Sequence, residues 1–161
     1  MDPGLVATGF AVLEAAPGAV TVLDAGVITT VATQSLEARL NAIHRAVLDI
    51  IESRRPAFLV VEDLYTEYKF PRTAILMGHA RGVICLAARQ LGVAVTALAP
   101  SEVKRAITGN GGAGKAQVQR SVQTLLGLAD LPRPSHVADA LGLAVTGLSR
   151  VTGITPKRAA R

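Results

Sequence analysis

One cysteine, no tryptophan, two tyrosines and three phenylalanines are all that 161 residues hold of those types. With Cys85 alone, neither an internal disulfide nor a multi-cysteine metal site can form. Aromatics at 3% argue against a single-strand binder that draws its affinity from stacked bases. No apolar run reaches the roughly 18 residues that a membrane span needs. Met1-Asp2-Pro3-Gly4 has neither the basic start nor the apolar centre of a secretion signal. A cytoplasmic location with no membrane partner is therefore the expectation. Acid is the scarcer charge, with 12 acidic residues against 17 lysines and arginines, a net +5 and a pI near 10. That balance attracts a polyanion such as nucleic acid, and it equally describes a solvated basic face.

Half of the residues are apolar, ample for one compact core. Residues 1–150 read as one domain and 151–161 as a basic tail, expected to be mobile. Residues 6–15 and 19–31 read as extended segments around the turn Ala16-Pro17-Gly18. From Ser35, a plausible N-cap, the residues Leu36, Leu40, Ile43, Val47, Ile50 and Ile51 recur at helical spacing and stop before Pro56. Phe58-Leu59-Val60-Val61 reads as a strand buried on both faces. Residues 73–91 form a helix that is apolar on nearly every side and must be covered twice, by the sheet and by a second subunit approaching through Gly78 and Gly82. A strand over 93–98, a short helix from Ser101, a glycine-rich loop and helices over 115–126 and 136–150 complete the chain. This order implies an α/β fold, a mixed sheet flanked by helices.

Three acids stand out by position: Asp2 before Pro3-Gly4, Glu62 closing the buried strand, and Asp139 on the first turn of the final helix, with His136 three residues earlier on the same face. Each has a plain reading: a turn residue, a solvated strand end, a complement to the helix dipole. Together they describe something else. Two such charges about 4 Å apart repel by roughly 4 kcal/mol at an effective dielectric near 20, so a converging trio calls for a divalent cation. A hard oxygen-ligand site with open positions suits two-metal phosphodiester hydrolysis.

The motifs run Asp2-Pro3-Gly4 with Thr8-Gly9, Val61-Glu62 followed by Tyr65, and Gly78-His79-Ala80-Arg81-Gly82. They continue with Lys104, Lys115 with Gln117-Val118-Gln119, and Ala138-Asp139-Ala140-Leu141. In this order, over nearly the whole chain, they resemble the RuvC family of bacterial Holliday-junction resolvases. The resemblance implies an RNase H-like fold of the retroviral-integrase type and a homodimer. It implies symmetrical nicking of four-way junction DNA with Mg²⁺ or Mn²⁺, two divalent cations per subunit, and cooperation with the RuvA and RuvB branch-migration complex. It makes Asp2, Glu62 and Asp139 metal ligands, places Tyr65 near the junction centre, and brings Lys104 and Lys115 to the scissile phosphate or the DNA backbone. The segment from Tyr65 through Phe70 to Pro71-Arg72 alternates aromatic and basic residues, a pattern suited to wedging an opened junction. Tyr65 and Arg72 are its candidate DNA contacts, while a loop whose aromatics pack on the adjacent helix is the plain reading.

Two departures from the family carry expectations. Many members have a fourth carboxylate where this chain has His136; imidazole also ligates metal and favours Mn²⁺ relative to an all-oxygen site. The family also has an apolar strand ahead of the first aspartate, where only Met1 stands here. Either the chain begins a few residues upstream, which is the expectation, or Asp2 lacks a rigid mount.

Gly109-Asn110-Gly111-Gly112-Ala113-Gly114-Lys115 imitates a phosphate-binding loop until Ala116 replaces the required hydroxyl residue. A flexible element that lets Lys115 reach DNA is the better reading. His44 and His79 are expected to be structural. Rival functions are another RNase H-like nuclease acting on RNA–DNA hybrids and a non-catalytic junction-binding module.

Overall fold

The computed structural model describes residues 1–16, 19–64 and 71–155. Strands β1 (Ala7–Ala16) and β2 (Ala19–Thr29) pair antiparallel, and β3 (Phe58–Glu62) and β4 (Ala94–Leu98) pair parallel in the register Val60↔Thr96. Met1 and Asp2 join the two pairs. The Met1 amine donates to the Val60 carbonyl at 2.7 Å and the Glu62 amide donates to the Met1 carbonyl at 3.1 Å. Asp2 exchanges backbone bonds with Gly9 at 2.9 and 3.0 Å. This two-residue strut turns two hairpin-sized sheets into one mixed sheet. Ahead of the strut, Ala11–Ala15 of β1 and Phe58–Val60 of β3 flank a largely apolar cavity of about 380 Å³, also lined by Ile51 and Leu148.

Helix α1 (Leu36–Arg54) starts where Ser35 accepts from the Ala38 amide, and it buries Ile43, Val47 and Ile51 at spacing four. It shares one core with α2 (Pro71–Gln90), which contributes Ala80, Ile84, Ala87 and Ala88. The other face of the sheet is covered by α3 (Pro100–Thr108), α4 (Lys115–Leu126) and α5 (Ser135–Thr152) around Leu98, Val103, Ile107, Val122 and Leu141. Strand β3 shows the division residue by residue: Leu59 and Val61 enter the first core and Val60 the second. That alternation is why its sequence is a continuous apolar run.

Within the single chain α2 is covered along one face; Ile75, His79, Gly82 and Leu86, spaced by four, three and four, form an exposed stripe on which the expected second subunit would sit. Two expectations need adjustment. Of the two glycines expected to admit a second subunit, Gly78 instead lies under its own chain's Leu64, whereas Gly82 has open space. The final helix begins at Ser135 and runs to Thr152, so Asp139 stands in its second turn and the boundary at 150 falls inside a helix. Residues 156–161, where a mobile tail is expected, lie outside the described residues.

Candidate active site

Asp2 is 8% exposed, held on both sides of its peptide by Gly9. Buried Thr8 ties down the turn that follows, donating from Oγ1 to the Gly4 carbonyl at 2.7 Å. The rigid mount that the short start of the chain put in doubt is therefore present, and Asp2 is not a mere turn residue. β1 and α5 approach closely at this point. A Cβ on Gly9 would collide with the backbone of His136, and one on Gly147 would collide with the Val60 side chain. Two absent side chains thus seat α5 directly on the sheet, with its first turn over the Asp2–Gly9 bridge.

His136 exploits that approach. Its Nδ1 donates to Asp2 Oδ2 at 2.7 Å. With the proton on Nδ1, the lone pair of the neutral ring is on Nε2, the atom left for a cation. Glu62 and Asp139 feel the same neighbourhood. Burial, then the charges of Asp2 and Asp139, push the Glu62 carboxyl up to about 7, against relief from Lys104 and the Met1 amine. Burial and Asp2 also raise Asp139, opposed by Lys115, His136 and Lys104. Both carboxyls are partly withdrawn from solvent.

The four groups share one electrostatic field, but among the described residues no three His, Cys, Asp or Glu side chains are drawn into a single ligand sphere. Only Asp2 and His136 touch. Carboxylates repelling by roughly 4 kcal/mol per pair at 4 Å, at an effective dielectric near 20, stand apart unless a cation lies between them. The donor set fits a hard divalent ion: it is mostly oxygen and partly buried, and burial followed by neighbouring carboxylate charge disfavours the ionised forms of Glu62 and Asp139, a cost such an ion would relieve.

Lys104 on α3 and Lys115, the first residue of α4, both act on these carboxylates through their charge. The loop between them is tied by local side-chain bonds. The Asn110 amide donates to Thr108 Oγ1 at 3.0 Å, the Gly112 amide to Asn110 Oδ1 at 2.9 Å, and Ala113 is buried. It is a pair of side-chain turns after a helix cap at Gly109, so the loop follows a helix and not the strand that a phosphate-binding loop follows. Arg72 is exposed in the first turn of α2. Tyr65, Tyr68 and Phe70 lie outside the described residues.

Arg81 is the site neighbour to which sequence reasoning gave no role. Its Nε donates to the Glu62 carbonyl at 3.2 Å and its guanidinium meets Asp63 at 3.4 Å. Its place inside the Gly78–Gly82 motif was the only signal available.

Comparison with known proteins agrees with this geometry. Residues 1–147 match the family model for crossover junction endodeoxyribonuclease RuvC. The crossover junction endodeoxyribonuclease RuvC of Rhodopirellula baltica is 42% identical over 147 residues, covering 91% of this chain and 83% of the relative. A structure of T. thermophilus RuvC in complex with Holliday junction substrate superposes with a TM-score of 0.87 at 34% identity, covering 98% of this chain and 96% of the other. A second Thermus thermophilus RuvC structure gives 0.79 at 32% identity, covering 97% and 96%.

Proposed function

This chain belongs to the RuvC family of crossover junction endodeoxyribonucleases, with an RNase H-like fold, and from that premise we propose that it resolves four-way DNA junctions by paired, metal-dependent nicks. The observation that carries the reading is the coupled carboxylate field of Asp2, Glu62 and Asp139, flanked by Lys104 and Lys115. Asp2, Glu62 and Asp139, with His136, are the residues that would hold two divalent cations, Mg²⁺ or Mn²⁺. Such ions supply an activated water and stabilisation of the leaving oxygen.

The chain's own groups do the rest. Asp2 offers a carboxylate oriented by His136 and fixed by the Gly9 ladder, so little order need be acquired on binding. Lys104 and Lys115 offset the charge that gathers on the phosphate during attack. The strand is left with a 5′-phosphate and a 3′-hydroxyl, ends that a ligase can rejoin. Tyr65 is assigned to junction contacts on the family resemblance, and Arg72 on the alternation of aromatic and basic residues that it ends.

A homodimer presents two such sites to a junction's paired strands. Its contact surface is the exposed stripe of α2, where Ile75 is 60% and Leu86 51% exposed and Gly82 leaves room for close approach. Cooperation with the RuvA and RuvB complex follows from the family. None of the described helices is long and apolar enough to cross a membrane, and a cytoplasmic enzyme fits a DNA substrate.

The test is a labelled synthetic four-way junction beside a linear duplex of matching sequence, with Mg²⁺ or Mn²⁺ and a Glu62→Gln control. Symmetrical nicks in the junction alone, lost in the variant, are expected. Binding without cutting under either ion would replace the enzyme with a junction-binding module. Preferential cutting of an RNA–DNA hybrid would replace the substrate.

A further inference from the structure

Glu62 ends β3, and a last ladder bond to β4 reaches the peptide just past it. The Asp63 amide donates to the Leu98 carbonyl at 2.8 Å, and Asp63 Oδ1 accepts from the Leu64 amide at 3.0 Å. Arg81 adds a hold from another element. One face of α2 is sunk into the core through Ala80 and Ile84, both fully buried, so Arg81 leaves the helix at a fixed place. Its guanidinium spans two consecutive residues, with Nε on the Glu62 carbonyl at 3.2 Å and a terminal nitrogen at 3.4 Å from Asp63 Oδ1. A planar fork places its donors on separate, diverging nitrogens that match a carbonyl and a carboxylate side by side, whereas a lysine ammonium gathers its three donors on one atom.

We infer that Arg81 is a positioning residue: it locks the peptide plane after Glu62 and so aims the Glu62 carboxylate into the metal site. It also draws the Asp63 charge toward α2, so that a fourth acid does not join the crowd at Asp2, Glu62 and Asp139. The helix that carries the proposed dimer stripe thereby also aligns an active-site strand. This inference rests on the reading of Glu62 as a metal ligand.

Outer-shell partners of metal ligands commonly govern affinity by about 10- to 100-fold. Calorimetric titration of Mn²⁺ into the full-length, DNA-free protein should therefore show Arg81→Ala weakened by about 10-fold or more. Arg81→Lys should recover part of that loss, and Asp63→Asn, which keeps the bond to the Glu62 carbonyl, should lose much less. Amide exchange at Asp63 and Leu64 should quicken in Arg81→Ala while the buried amides of α2 stay protected, which separates lost aim from lost fold. Unchanged Mn²⁺ affinity in Arg81→Ala would overturn the inference, as would a loss in Arg81→Lys equal to that in Arg81→Ala. If Glu62→Gln leaves Mn²⁺ binding intact, the ligand reading itself fails. The amide-exchange result then still decides whether Arg81 fixes the strand end.

Discussion

His136 and Asp2, separated by 134 residues of chain, meet at 2.7 Å through Nδ1 and Oδ2, and this bond ties the final helix to the strut that joins the two halves of the sheet. One contact therefore serves both stability and ligand orientation. It leaves Nε2 of His136 as the nitrogen that a metal could take, which is the basis of the first expectation.

A site with one imidazole donor favours Mn²⁺ more than an all-oxygen site does. Mn²⁺ should support junction cleavage at least as well as Mg²⁺, and His136→Asp should shift the preference toward Mg²⁺. Initial rates across a titration of each ion measure this. A clear preference of the parent for Mg²⁺ would remove His136 from the ligand set.

The Glu62 carboxyl, held at about 7 against an ordinary 4.5, binds its proton more tightly in the folded protein than in the unfolded chain. The Glu62 contribution to stability must then fall as pH rises through that interval, and the raised Asp139 adds to the fall, while the buried Met1 amine, lowered from 8.0 to about 6, works the other way above pH 6. For metal-free protein, Glu62→Gln should gain stability relative to the parent as pH goes from 5 to 7.5, by up to about 3 kcal/mol for a shift of this size. Urea midpoints at the two pH values measure the difference. Added Mn²⁺ should stabilise the parent more at pH 7.5 than at pH 5, because cation and proton compete. A parent–variant gap independent of pH would contradict the burial of Glu62.

Gly9→Ala places a methyl group against the His136 backbone. Either α5 lifts or β1 bends. The expected cost is about 1–3 kcal/mol, as for other forced overpacking. Loss of the His136–Asp2 bond should follow, visible as a shift of the His136 ring resonances. A variant as stable as the parent, with that bond intact, would mean that β1 and α5 tolerate a wider spacing.

Lys115→Ala should weaken junction binding and reduce the slope of log K against log salt by about 0.9, the counterion released by one phosphate contact. Lys104, closer in effect to Glu62, should cost turnover more than binding: Lys104→Ala is expected to lower kcat by about 100-fold. Salt-dependent binding curves and single-turnover rates distinguish the two roles.

Leu86→Glu puts a charge into the exposed stripe of α2 and should yield monomers by sedimentation without unfolding, since Leu86 is already half exposed. Such monomers should nick junctions singly and lose the paired cuts. A dimer that survives the change would place the subunit contact elsewhere.

The helices were legible because burial on one side imprints a period. The spacing-four run Ile43, Val47 and Ile51 announced α1, and Ser35 announced its start, almost to the residue. The run Phe58–Val61 gave a two-faced strand because each neighbour must enter a different core. The doubly apolar look of α2 misled in part: Gly78 faces Leu64 of its own chain, and composition cannot tell a glycine that admits a partner from one that admits a loop.

By itself the sequence determined the order of elements, the α/β class and the family, and it singled out the candidate acids and lysines, since residue identities and their spacing record which groups must be buried and which must be charged. Only the tertiary structure decided how those groups meet. The mount of Asp2 between β1 and β3, the approach of His136 through the bare Cα of Gly9 and the reach of Arg81 to Glu62 all join separate elements of the chain. Their energies depend on ångström separations and shared burial, and those quantities come into being only when the sheet and α5 have packed.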